Sequence, residues 1–320
     1  MRPYVSQQCW NADGTKFIFG FNDTLYEYDI LSETAATLDC ARVDGVHLMA
    51  AVSPDNKIYY RKSGDGTWCI DWNNYCKAKI SEYEFNLISV TNDGKYITGT
   101  LVGASDNPTT LYRFDVCSNL MESMTYNLSS DNGSVGINHV QINPEYPDTV
   151  FFCNEGNTAM PDRMYLADWS EKTASNVFVQ ASENGAPAEY FGHEVWGISG
   201  EKMYWVSFSD SGTKASLRGL VRSDKDGTGR EYINSDYKYW HCYPSGDDKW
   251  IVADTASGQI VLVGADTGKS EYLAKFTMTS WAHPYQPHPV ISINSSSVCW
   301  QMLYNGVLGC AWQDVSDITK

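Results

Sequence analysis

Several things are missing from this chain, and each absence excludes a class of function. There is no apolar run of the ~18 residues that a membrane-spanning helix requires, so no such span is expected. The N-terminal MRPYVSQQCW lacks the apolar centre of a signal peptide. The expectation is therefore a cytoplasmic protein, with a periplasmic or secreted location as the alternative if a leader has been removed. Basic residues are scarce, 23 Lys and Arg against 39 Asp and Glu, and the formal net charge is −16. Without a Lys/Arg cluster to displace counterions from phosphates, nucleic acid is not an expected partner. The nine cysteines include no CxxC spacing, which argues for reduced thiols rather than a disulfide framework or a zinc knuckle. GxSxG, a P-loop, a dinucleotide fingerprint and HExxH are also absent. SGDGTW and SDKDGTGR lack the terminal acid of a calcium loop and read as hairpin turns.

What the chain does contain is repetition. Runs such as KFIFGF, KIYYRK and KWIVAD combine β-branched and aromatic residues in alternation, and each follows an Asp/Asn/Gly turn. The unit recurs seven times, with first turns near Asp13, Asp55, Asp93, Asp148, Gly200, Asp247 and Ser295. A spacing of roughly 40 to 55 residues suits four-stranded propeller blades. The pattern predicts an all-β fold, a seven-bladed β-propeller, with residues 1–320 as one domain. The sequence starts almost directly at the first inner strand and stops soon after the third strand of the seventh repeat, so ring closure is expected to lack a strand and the end blades to be the least stable.

In such a ring the segment before each innermost strand lines one mouth of the central channel. His139, His193, His241 and the His283–His288 segment all occupy that position. His241, His283 and His288, with Gln286, form a candidate ligand set for a divalent ion such as Mn, Fe, Ni or Zn. Pro284, Pro287 and Pro289 stiffen the backbone that carries the last three. His193 lies one blade back; as a neutral imidazole it suits general-base chemistry, and as a core histidine bonded to a neighbouring backbone it would be structural. Glu194 is expected on the opposite face of its strand. Arg163 in PDRMY, expected to begin a second strand in the fourth blade, is the residue type suited to grip a carboxylate. His139, Gln141 and Glu155 lie between these elements as substrate-side or orienting residues.

In their order and spacing, the motifs HVQINPEYPDTVFFCNEG, DRMY, HEVWG, HCYPSGDD and HPYQPHP resemble the oligogalacturonate lyases. The resemblance begins at QQCWNADGTKFIFG and extends over nearly the full length. It implies a seven-bladed propeller that binds Mn2+ and cleaves short pectin fragments by β-elimination, giving 4,5-unsaturated uronates. Carried over by position, His241, His283, Gln286 and His288 are metal ligands, His193 is the base, and Arg163 contacts the substrate carboxylate. The family's glutamine, two residues, then His-Pro-His is replaced here by histidine, two residues, then Gln-Pro-His, and Asn154 stands where the family has histidine. The implied partner is a short acidic oligosaccharide. Three alternatives remain at this stage: a lyase of the same fold acting on another uronic acid linkage, such as glucuronate in ulvan, a non-catalytic propeller binding a glycan or protein, and a degenerate lyase that keeps the fold but little activity.

Overall fold

Each aromatic and β-branched run forms a strand, and each Asp/Asn/Gly cluster turns the chain back on itself. In the computed structural model these strands form seven antiparallel sheets that are the blades of a β-propeller, and a separate two-stranded ribbon of Ser182–Glu183 and Ala186–Pro187. The structure describes residues 7–42, 47–103, 110–126, 136–155, 163–183, 186–208, 215–276 and 285–320. Five blades have four strands each, and their innermost strands are Ala50–Ser53, Phe85–Val90, Gly136–Ile142, Phe191–Trp196 and Tyr239–Pro244. All seven first turns expected from the sequence connect an innermost strand, or its equivalent, to the second strand of its blade. Among the described residues no helix is long and apolar enough to cross a membrane.

The two end blades are the irregular ones. The first blade is the sheet of Lys16–Phe21, Thr24–Asp29 and Thr34–Cys40, and its innermost strand is reduced to one bridge between Trp10 and Phe17. In the seventh, Val290–Ile291, Ser297–Tyr304 and Val307–Asp314 form three strands, with no fourth among the described residues. A belt of polar contacts between neighbouring turns compensates. Asn56 Oδ1 accepts from the Ala12 amide at 2.7 Å, Asn143 Nδ2 donates to Gly200 O at 2.8 Å, and Ser295 Oγ reaches Asp247 at 3.3 Å. The belt closes where Asn294 Nδ2 donates to Asp13 O at 2.5 Å, from the last blade to the first.

Trp10 adds an apolar part to that closure. It is fully buried, packs edge-on against Phe17 at 5.0 Å, and its Nε1–H donates to Val290 O at 3.0 Å across the seam. Gln8 Nε2 donates to Ile291 O beside it at 3.3 Å. Trp10→Ala removes both the packing and the bond, so it is expected to cost about 3–5 kcal/mol in urea unfolding. A loss below about 1 kcal/mol would place the closure elsewhere.

Candidate functional site

The geometry of the channel mouth starts from irregular pairing in the inner strands. In a regular ladder alternate side chains would point into the blade interfaces; a bulge sets two residues against one and re-aims both. The register shifts between Asn138 and Gln141, between Gly192 and Val195, and between Tyr239 and Cys242. His139 (φ 50°) and His193 (φ 56°) adopt the left-handed conformation, and so does His288 (φ 46°) at the entrance to the seventh blade. Histidine is among the few non-glycine residues found there with any frequency. Gly192, just before His193, lets Phe208 close over the strand: a Cβ there would lie 2.6 Å from the Phe208 ring.

These bulges bring together side chains from three blades. The His193 and His241 ring centroids are 4.1 Å apart, and His241 stacks on His288 at 3.8 Å. His241 and His288 are buried, as is Gln286, whose backbone carbonyl accepts from Gln301 Nε2 at 3.3 Å. His283 lies outside the described residues. The structure adds His47, which the sequence reasoning passed over, with its ring 5.3 Å from that of His288. His47 precedes the second blade's inner strand as His288 precedes the seventh's, whereas His139, His193 and His241 lie within their inner strands rather than before them; its place ahead of an inner strand was the available signal.

A hydrogen bond defines the protonation of one of these rings. His193 Nδ1 faces the Trp240 carbonyl, which can only accept, so the proton sits on Nδ1 and the lone pair on Nε2. Burial, followed by the neighbouring His241, pushes the His193 imidazole well below its usual range and keeps it neutral. Phe208 packs edge-on against His193 at 5.3 Å, and Trp240 lies 5.7 Å away. His241 Nδ1 lies 2.8 Å from Asp254 Oδ2, and the His241 amide donates to Asp254 Oδ1 at 2.7 Å. Burial raises the Asp254 carboxyl to about 7. The His241 and His288 imidazoles, the buried amide of Gln286 and a carboxyl group behind His241 are a donor set that fits a borderline divalent cation.

A second cluster backs the first, and Glu194 is its centre. Its carboxylate is fully buried, 3.1 Å from Arg163 Nε through Oε1 and 3.0 Å from His139 Nδ1 through Oε2. Cys153 Sγ donates to Oε2 at 3.4 Å, and Gln141 Nε2 donates to the Glu194 carbonyl at 2.8 Å. Burial alone would raise this carboxyl, but Arg163 and His139 outweigh it and hold Glu194 far below the usual range. Donor atoms of His139, Cys153 and Glu194 lie within 4.8 Å of one another, yet both Glu194 oxygens already serve Arg163 and His139, the geometry of an ion-pair hub. Glu194 does point away from His193, as alternation requires; its role was missed because a buried glutamate in FGHEVW needs a cation that only the neighbouring blade supplies. Arg163 precedes Met164–Asp168, the third strand of the fourth blade rather than the second, because the innermost strand lies before the turn from which the repeat was counted. The Glu155 side chain lies outside the described ones, although its backbone ends the strand Thr149–Glu155.

Comparison with solved structures decides the architecture. An oligogalacturonate lyase in complex with manganese superposes with a TM-score of 0.79 at 19% identity, covering 100% of this chain and 91% of that one. The chain has the oligogalacturonate lyase fold. The oligogalacturonate lyase from Vibrio parahaemolyticus gives a TM-score of 0.78 at 19% identity with the same coverage. TolB from Acinetobacter baumannii is more distant, with a TM-score of 0.52 at 16% identity over 83% of this chain and 63% of that one. No family model matches the sequence, and no curated protein does.

Proposed function

We propose that the protein is a metal-dependent lyase that cleaves short oligogalacturonides by β-elimination, leaving a 4,5-unsaturated uronate. The observation that carries this reading is the convergence of His193, His241 and His288, from three blades, at one channel mouth, with ring centroids 4.1 and 3.8 Å apart. The full-length likeness in fold to two oligogalacturonate lyases supports it, one of them solved in complex with manganese. His241, Gln286 and His288 would hold the cation, with His283 as the further ligand expected from the sequence. When bound, a divalent Mn2+ ion supplies Lewis-acid stabilisation of charge on the substrate carboxylate.

The protein's own groups carry the remaining steps. Arg163 is assigned to the uronate carboxylate, and Glu194 fixes the guanidinium through Nε. His139 and Gln141, both bonded to Glu194, hold that side of the site in place. His193 takes the proton from C5 on its Nε2, the nitrogen left with the lone pair by the bond to Trp240. The C5–H electron pair forms the C4=C5 double bond, and the C4 oxygen leaves with its pair and is protonated. A net charge of −16 repels long polyanions, so a short acidic oligomer drawn to one local positive site fits the electrostatics.

A substrate panel tests the proposal. The protein loaded with Mn2+ is expected to raise the ultraviolet absorbance of the unsaturated uronate on di- and trigalacturonate. A chelator is expected to abolish the rise and added Mn2+ to restore it. Turnover only on glucuronate-linked oligomers would change the substrate, and no product from any uronide would overturn the function.

A further inference from the structure

The bulge in the sixth blade leaves Trp240 and His241 facing a single residue on the second strand, Asp254. A bulged amide loses its ladder acceptor, and an unsatisfied buried N–H is costly. Asp254 replaces that acceptor. Its Oδ1 accepts the His241 backbone N–H at 2.7 Å while its Oδ2 lies 2.8 Å from His241 Nδ1, and the His288 backbone N–H also reaches the carboxylate. Asp254 is 1% exposed and His241 is 0% exposed, so neither is positioned by solvent.

We propose that Asp254 is the positioning residue of the metal centre: it fixes His241 as the Nδ1–H tautomer, leaves Nε2 as the nitrogen that would take the ion, and joins the backbones that carry His241 and His288. The inference rests on the functional reading above. An imidazole offers a metal only the nitrogen that lacks a proton, so the group behind the ring decides which nitrogen that is. One carboxylate thus controls the direction of one ligand and the placement of a second. Aspartate is required rather than asparagine, because an amide of the same shape would present a donor to Nδ1 and drive the ring proton to Nε2.

Asp254→Asn is therefore the informative variant. Paramagnetic resonance of free Mn2+ in a titration is expected to show affinity 10- to 100-fold weaker than the parent's. Circular dichroism and thermal unfolding report whether the fold is kept. In parallel, 15N-labelled histidine spectra of the metal-free parent are expected to show His241 as Nδ1–H, and those of Asp254→Asn as Nε2–H. The parent spectrum needs no variant to fold, and an Nε2–H tautomer there overturns the inference. So does Mn2+ binding by Asp254→Asn within about twofold of the parent. Failure of the parent itself to bind Mn2+ sinks the metalloenzyme reading, whereas the tautomer spectra still decide what Asp254 does to His241.

Discussion

His193→Ala is expected to lower turnover on oligogalacturonide by about 10²- to 10⁴-fold while leaving Mn2+ binding near the parent's. The expectation follows from how the ring is held. Its Nδ1–H is committed to the Trp240 carbonyl, and burial against Phe208 and His241 keeps it neutral, so Nε2 is an available lone pair beside the proposed ion. A group of that kind acts in the proton-abstraction step and contributes little to holding the ground state. The loss should therefore appear in kcat, with KM changing less. Steady-state kinetics by ultraviolet absorbance checks this, with a Mn2+ titration of the same variant as control. Undiminished kcat would remove His193 from the role of base.

Glu194→Ala is expected to be the most destabilising single change in the site, about 3–5 kcal/mol in urea unfolding. The substitution takes its carboxylate partner from a guanidinium that is 2% exposed. It also takes the acceptor from His139 and Cys153 at the same time. Acid should reproduce part of the effect. Because Arg163 and His139 depress the folded-state pKa, the contribution of Glu194 is complete above the ordinary glutamate range and fades as pH falls from there toward the folded value. The stability gap between parent and Glu194→Gln should accordingly narrow as pH is lowered below about 4. A gap that is constant with pH, or an alanine variant as stable as the parent, would show that the pair contributes nothing net.

The fold was legible because it is written locally. KIYYRK and KWIVAD alternate, and their turns carry Asp and Gly at a repeating interval, so seven blades follow from short-range chemistry. The proximity of His193, His241 and His288 was legible for a related reason: in a ring of repeats, equivalent positions converge whatever their separation in sequence. Asp254 and Glu194 were not legible. Asp254 is the penultimate residue of the strand WIVADT, where it looks like the start of a turn, and acquires its role only from a bulge that periodicity does not encode. Glu194 was judged by its relation to His193 within one strand, whereas its partners Arg163, His139 and Cys153 belong to the adjacent blade. His47 stood in the right register for its blade, but a lone histidine in VHLMAA carries no mark of the His288 ring it meets across the ring closure. Closure itself was expected to lack a strand; among the described residues the seventh blade has three, and Trp10 and Asn294 link it to the first blade through side chains.

The central claim is that these imidazoles form one metal centre, and anomalous diffraction from crystals grown with Mn2+ tests it most directly. The account predicts a single strong anomalous peak at the channel mouth, within coordination distance of His241, Gln286 and His288 and adjacent to His193 Nε2. A peak at His139, Cys153 and Glu194 instead, or none at the mouth in Mn2+-saturated crystals, would contradict it.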